Sequence, residues 1–346
     1  MFEDLVKYTS KAVESRRVVE TFFGNFFAIK DYHGESIVKF DSRDVARGIA
    51  PYVAPTVKGK PVKIAGFSSN ILELPTMKPN EVLTNDDIKK RPFGDTVDTK
   101  VSKSARARKF ATEITDRNMA KIDARLEQMR AEEIFTGKLI IKGDGYDHTI
   151  TFPRRVANIV DLGGSKYWDL STSTVGKDFG TMIALAGEYG KSISHVVGRI
   201  ATMETTVARI KTEEGANYVD SSAQMQNITF KSMADVDGAI YYGKFRNVEM
   251  WGYDGNYQDI DGSWKKSVPD KKVAFMASKN FNEESYGYAG DVEIELGLNT
   301  KNKVKNSNNI ITSIKPDDVS VEFEAQLTAA PLMKDGDTAI IVTVIS

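Results

Sequence analysis

Apolar residues recur at helical spacing through one unusually long stretch of the chain. Phe110, Ile114, Met119, Ile122, Leu126, Met129 and Ile134 follow one another at intervals near three and four between Ser102 and Gly137. That pattern predicts a single amphipathic helix on the order of 50 Å long. Ser102 or Ser104 can cap its first turn, and Gly137 stands where a left-handed residue closes the last. Beyond Gly137 the period changes to two. Tyr146, His148, Ile150 and Phe152 alternate with polar residues and, with residues 138–141, flank Lys142-Gly143-Asp144-Gly145, which predicts a hairpin. A long helix running into a hairpin points to an elongated α+β unit; an ordinary surface helix before an ordinary sheet is the plainer reading.

The same reading extends to either side. A helix is predicted around residues 11–23, carrying an aromatic cluster, Phe22, Phe23, Phe26 and Phe27, that forms core or plugs another subunit. Pro51, Pro55, Pro61, Pro75, Pro79 and Pro92 exclude helix from most of the next segment. There, residues 58–67 and 71–74 read as two arms of a long loop joined through 66–70. So long a stretch with little core pattern fits an arm packed on a neighbour. Further on, 178–189, 194–200 and 202–214 read as helix, strand and helix. Residues 248–253 and 272–277 read as a hairpin whose Gly- and Asp-rich tip, 254–269, reaches toward something. Strands are predicted at 319–328 and 338–344.

Charge narrows the picture only slightly. Lys plus Arg number 47 against 48 Asp plus Glu, a net charge of −1, which argues against a protein whose main task is gripping nucleic acid. The absence of cysteine excludes disulfides, thiolate zinc sites and a cysteine nucleophile. No signal peptide and no run of about 18 apolar residues is present, so no membrane association is expected. One feature stands out: Lys100, Lys103, Arg106, Arg108 and Lys109 crowd the start of the long helix, where the macrodipole disfavours cations. Glu81, Asp86 and Asp87 lie in the distal arm of the preceding loop. The basic end is expected to meet acidic groups of an adjacent subunit, to be solvated, or to face DNA.

Candidate chemistry is thin. Gly187 to Ser192 ends like a phosphate loop, but Leu185 stands where the first glycine belongs and the order is helix then strand. Asp254, Asn256, Asp259 and Asp261 have the composition of a calcium loop without its glycine or closing glutamate. His33, His148 and His195 fall in separate segments with no partner at ligand spacing. Gly163-Gly164-Ser165-Lys166-Tyr167 is no nucleophile elbow. No catalytic, cofactor or metal site is expected.

Several strings occur in a telling order: VARGIAPYVAPTVKGKP, MRAEEIFTGKLIIKGDGYD, FPR, GGSKYWD, WGYDGNYQDIDGSWKKSVPDKKVAFMA, SYGYAGD and QLTAAPLM. From about Ile37 to Met333 this resembles the phage lambda head protein family, whose members have the Hong Kong 97-type major capsid fold. The resemblance implies an α+β fold with an N-terminal arm (1–50), an extended E-loop (51–96), a P domain of spine helix and sheet (97–156), an A domain (157–310) and strands returning to the P domain (311–346). It implies a structural, non-enzymatic protein that forms pentamers and hexamers of an icosahedral shell around double-stranded DNA. Its partners would be copies of itself, a separate scaffold protein, a portal, packaged DNA bound without sequence preference, and in some relatives a decoration protein. Assembly would take place in a bacterial cytoplasm and the product would be the virion. An encapsulin-like nanocompartment is the alternative. Contacts between subunits are expected at Lys58, Lys60, Phe67, Glu81, Asp86, Asp87, Arg106, Arg108, Asp254, Asp261 and Trp264.

Overall fold

The computed structural model describes residues 13, 21–27, 29–33, 35, 37–43, 67–90, 102–143, 145–214, 231–277, 282–287, 303–305, 309–317 and 320–346. In chain order, β1 (Ile29–Tyr32), β2 (Ile37–Arg43), β3 (Phe67–Glu73), β4 (Thr76–Met77) and β5 (Asn80–Thr84) precede a short helix, α1 (Asn85–Lys89), and the long helix α2 (Lys103–Thr136). The hairpin β6 (Lys138–Gly143) and β7 (Tyr146–Thr151) follows, then β8 (Ile159–Asp161), α3 (Val175–Glu188), β9 (Ile193–Gly198), α4 (Ile200–Glu214) and α5 (Lys231–Ala234). Next come β10 (Ala239–Phe245), β11 (Val248–Tyr253), β12 (Asn256–Gln258), β13 (Trp264–Lys266) and β14 (Lys272–Ala277). The chain closes through β15 (Glu283–Tyr286), β16 (Lys303–Lys305), β17 (Ile311–Pro316), β18 (Ser320–Leu332) and β19 (Ala339–Thr343).

Helix α2 has the ends its sequence predicts. The Ser102 hydroxyl accepts from the Ala105 N–H at 3.2 Å, and Gly137 takes the left-handed conformation at φ 68°. Arg154 closes the same end by donating from Nη2 to the Ile134 carbonyl at 2.7 Å and to the Glu133 carbonyl at 3.3 Å. Along the helix the buried stripe meets three apolar clusters in succession. Ala107, Ala111 and Ile114 pack with Leu83, Ile314 and Phe323; Met119, Ile122 and Leu126 pack with Ala325, Leu327 and Ala329; Met129, Ile134 and Phe135 enter the largest cluster. Phe110 is only half-buried, at the stripe's edge.

Strand β18 is the element that α2 lies on. It pairs antiparallel with β15 and β17, and takes β4 and β5 as well, in a seven-stranded sheet of order β1-β15-β18-β17-β16. The Asn118 side chain, buried beneath the helix, donates to the Phe323 carbonyl at 2.8 Å. Glu133, fully buried, accepts from the Met333 N–H. These two contacts fix where the helix sits along the strand.

A second sheet, six-stranded, runs β10-β11-β9-β14-β19-β8. Its residues alternate between two cores. Val196, Met250, Val273, Phe275, Ile340 and Val342 face Phe179 and Met182 of α3 and Met203, Val207 and Ile210 of α4. Val197, Trp251, Ala274, Met276, Ala339 and Ile341 face the C-terminal end of α2 and the N-terminal phenylalanines. Phe22 stacks on Tyr253 with ring centroids 4.4 Å apart, and Phe26 meets the His195 ring edge-on at 5.4 Å. The aromatic cluster is therefore core of its own chain rather than a plug for another. Of the helix predicted at 11–23, residues 11, 12 and 14–20 lie outside the described residues; Val13 is helical and Phe23 opens a 3-10 turn.

Four expectations are corrected. Residues 66–70 do not join two loop arms: Phe67–Glu73 is one continuous strand, paired with Ile37–Arg43 residue by residue. Ser68 and Ser69 looked turn-like, but they sit opposite the polar Ser42 and Asp41 in a ladder that absorbs them. Residues 248–253 and 272–277 do not form a hairpin, since β9 lies between β11 and β14. The hairpin β6–β7 makes its own two-stranded sheet instead of extending the sheet under α2. Of the two final strands, β18 joins that sheet, whereas β19 pairs with β14 and β8 in the other. Ala339-Ile340-Ile341-Val342 is apolar on both faces and needs a strand position covered on both sides, which the second sheet supplies.

Gly336 marks the tightest approach between these pieces. A Cβ there would lie 1.9 Å from the Pro153 carbonyl oxygen, a backbone atom that cannot swing aside. Gly336→Ala is expected to lower stability by about 1–3 kcal/mol, read as a reduced urea midpoint with unchanged slope.

Candidate assembly interface

The long helix carries charge into its buried face. Arg130 Nη2 contacts Glu284 Oε1 at 2.5 Å, while Nη1 donates to Thr21 Oγ1 at 2.7 Å and lies 3.4 Å from Glu127 Oε2. Glu127 Oε1 accepts from the Phe23 N–H at 2.8 Å, and Glu284 Oε2 accepts from the Tyr286 hydroxyl at 3.0 Å. Burial pushes the Glu127 carboxyl up, with Arg130 and the Phe23 N–H opposing. Burial also disfavours the Arg130 charge, but Glu284 and Glu127 outweigh it and hold the guanidinium above its ordinary value. This cluster ties the N-terminal segment, α2 and β15 together inside one subunit. Sequence reading missed it, although Glu127, Arg130 and Glu133 fall at helical spacing among the stripe residues.

On the outer flank, Glu81 of β5 is held by Arg117 Nη2 at 2.7 Å and Lys121 Nζ at 2.6 Å. Burial raises the Glu81 carboxyl, and the two cations reverse that and lower it overall. Asp86 pairs with Lys89 at 2.8 Å. Asp87 completes a capping box with Thr84 and pairs with Lys90 at 2.9 Å; the Thr84 hydroxyl and then Lys90 bring its pKa down to about 2. The acids expected to meet a neighbour's basic helix end are thus engaged by cations of their own chain. Arg106 and Arg108 lie in the first turns of α2, both half-buried, and are not the residues that meet Glu81. Arg117 and Lys121, further along, do so because β5 crosses the helix there.

The tip after β11 folds back on α2. Asp254 accepts from the Arg199 Nε at 2.9 Å and the Ile200 N–H at 3.2 Å, capping α4 rather than reaching outward. Asp261 accepts from the Ser263 N–H at 2.9 Å and Oγ at 2.5 Å. Asp259 holds Lys265 and lies 3.8 Å from Arg125 of α2. Among polar neighbours the tip also presents two large apolar side chains: Ile260 is 87% exposed and Trp264 73%. Ile260 was not foreseen. The ribbon β2–β3 is similarly two-sided, with Val38, Phe40 and Leu72 buried and Ile37 and Ile71 exposed. Phe67 begins β3 opposite Arg43. Lys58 and Lys60 lie outside the described residues.

The sequence from residue 7 to residue 344 matches the model of the family described as phage major capsid protein E. The chain belongs to that family.

It is a major capsid protein of phage or prophage type, structural and not enzymatic. Solved structures agree on the fold. A protein described as a prophage capsid protein of E. coli CFT073 is similar with a TM-score of 0.67 at 16% identity, over 100% of this chain and 98% of that one. The capsid subunit of cyanophage A-1(L) gives 0.51 at 10% identity, over 96% and 94%, and the capsid of a native GTA particle gives 0.50 at 12% identity, over 96% and 93%. No curated protein matches the sequence. The α+β architecture is the Hong Kong 97-type capsid fold.

Two expectations about this capsid subunit follow from its buried charges. Arg130→Leu leaves Glu127 and Glu284 uncompensated inside the protein and should cost about 3–5 kcal/mol in chemical denaturation. Burial lifts the Glu133 carboxyl well above its ordinary 4.5, against the opposing Met333 N–H and Arg154 charge. A raised carboxyl means the folded chain keeps a proton that the unfolded chain has released. The group's contribution is fullest below its unfolded pKa and is lost as pH rises through the folded one. Glu133→Gln keeps an acceptor for Met333 and removes the titration, so its urea midpoint should fall less than the wild type's as pH rises above the ordinary carboxylate range.

Proposed function

We propose that this capsid protein tiles a closed icosahedral shell as pentamers and hexamers around double-stranded DNA, assembling in the bacterial cytoplasm with a separate scaffold protein and a portal. A decoration protein adds to this list in the same reading. The observation that carries the tiling is the distribution of exposed apolar side chains. They sit on separate elements: Ile37 and Ile71 on the β2–β3 ribbon, Val82 on β5, Val156 and Ile159 beside and on the edge strand β8, Ile260 and Trp264 on the tip. A monomer shows such residues singly without consequence, but a tile needs contacts on several sides at once. Many weak contacts repeated through a closed shell then act together.

In this reading residues 1–50 are the N-terminal arm, 51–96 the E-loop, 97–156 the P domain, 157–310 the A domain and 311–346 the return. The pairing of β2 with β3 extends the loop's root back to Ile37, and Lys58 and Lys60 remain proposed contacts by sequence alone. Phe67, Arg106, Arg108 and Trp264 remain proposed contacts between copies, while Asp254 and Asp261 serve the tip that displays Trp264. The alternative, a nanocompartment loaded with protein, shares the tiling and differs in cargo.

Negative-stain microscopy of the expressed chain, with and without its genomic neighbours, should show shells, rings or tubes. A dispersed monomer under every assembly condition would overturn the proposal, and protein cargo in place of nucleic acid would favour the alternative. Ile71→Asp and Trp264→Asp should each cut particle yield at least about tenfold while leaving the circular dichroism of the subunit unchanged. Charge reversal at Arg106 and Arg108 should lower particle yield and its resistance to salt.

A further inference from the structure

We propose that Asp31, His33 and Glu283 form a site for a divalent cation of the zinc class, which fastens the edge strand β1 to β15. No part of the capsid reading is needed for this, and the sequence did not reveal it, because Glu283 lies far from the other two in the chain.

The site is built from strand periodicity. Asp31 and His33 are two residues apart and so share one face of the chain at β1, where the His33 N–H donates to the Tyr286 carbonyl at 2.8 Å and continues the pairing with β15. In the parallel register Ile29 stands opposite Glu283 and Asp31 opposite Ser285. Register alone puts Glu283 on the face that Asp31 shares, and side-chain reach closes the remaining gap: one ligand atom from each of Asp31, His33 and Glu283 lies within 4.8 Å of the others. The distance from His33 Nε2 to Asp31 Oδ2 is 3.5 Å. Two ligands at about 2.0–2.1 Å from a tetrahedral zinc are about 3.4 Å apart, so the spacing is that of one edge of its coordination shell.

Two further observations point to a cation. His33 Nε2 is closed to solvent and makes no hydrogen bond, its near neighbour being Asp31 Oδ2, while the rest of the side chain is 27% exposed. Glu283 is already oriented as a ligand would be, its Oε1 accepting from the Ser285 hydroxyl at 3.1 Å. Among the described residues Glu283 also has a cationic partner, Lys334, whose Nζ reaches its Oε2 at 2.5 Å with a third of its side chain exposed. One lysine facing two carboxylates leaves a net negative charge that a divalent ion would cancel. Lys334 would then turn to solvent. One imidazole and two carboxylates suit zinc, cobalt or manganese better than calcium or magnesium, which prefer all-oxygen sites.

The edge position gives such a site a purpose. β1 is a short strand paired on one side only among the described residues, and in parallel. A cation bridging β1 and β15 would hold the N-terminal segment on the sheet under α2 and stabilise the fold by an amount that grows with the logarithm of its concentration over Kd.

The test uses the full chain, freed of metal by chelation, with Zn2+ and Co2+ as probes. Titration calorimetry should show saturable zinc binding at one site per chain, and the melting temperature should climb with zinc concentration but not with Ca2+ or Mg2+. Cobalt should give intense visible bands of a four-coordinate site. His33→Gln and Asp31→Asn should each weaken zinc binding at least about 100-fold, and Lys334→Met should tighten it. Absence of saturable zinc binding, a six-coordinate cobalt spectrum like that of the free ion, or zinc affinity undiminished in His33→Gln would overturn the proposal. If His33→Gln fails to fold, the wild-type cobalt spectrum and Asp31→Asn decide the matter.

Discussion

Helix α2 is held to strand β18 by apolar packing along its length and by two buried polar contacts, one toward each end of the strand. Asn118 binds the Phe323 carbonyl near one end, and Glu133 takes the Met333 N–H near the other. Apolar packing alone would let a helix slide or turn on a strand at small cost. A buried donor or acceptor left unmet costs about 1–3 kcal/mol, so the two contacts fix a single placement. The rest of the subunit depends on that placement. β4, β5, β15 and β17 attach to the same strand, and Arg154 and Gly336 lock the end of the helix against the chain that leads into β19.

The second sheet takes its position from the first. One face is covered by α3 and α4, and the other by the end of α2 and the four N-terminal phenylalanines. A sheet buried on both faces tolerates apolar runs such as Ala339–Val342 that a half-exposed strand would not. The Glu127–Arg130–Glu284 cluster sits at this junction. It supplies more specificity than stability, because desolvating three charges offsets much of their attraction.

Many of the charges that sequence reading reserved for neighbouring subunits are satisfied within the chain. Glu81, Asp86, Asp87, Asp254 and Asp261 all bind partners of their own subunit. The described surface also offers exposed apolar side chains, among them Ile71, Ile260 and Trp264, together with the basic start of α2. Exposed ion pairs are worth little singly, whereas apolar contacts repeated around a shell accumulate. In the proposed tiling, exposed apolar side chains therefore gain more from burial between copies than exposed ion pairs would.

Local periodicity was enough to place α2 with both its ends, the hairpin after it, α3, β9, α4 and β18, because each is decided by side chains within a few residues of one another. The order of quoted motifs was enough for the family. The sequence could not decide which strands pair. Residues 66–70 read as the join between two loop arms, 58–67 and 71–74, and β11 and β14 as a hairpin, since the pairing of β3 with β2 and the insertion of β9 depend on chain that returns from far away. Nor could it show that Glu81 meets Arg117 and Lys121, or that Glu283 comes beside His33. Periodicity records which face of an element is buried and says nothing about what buries it; tertiary structure alone brings together charges that are distant along the chain.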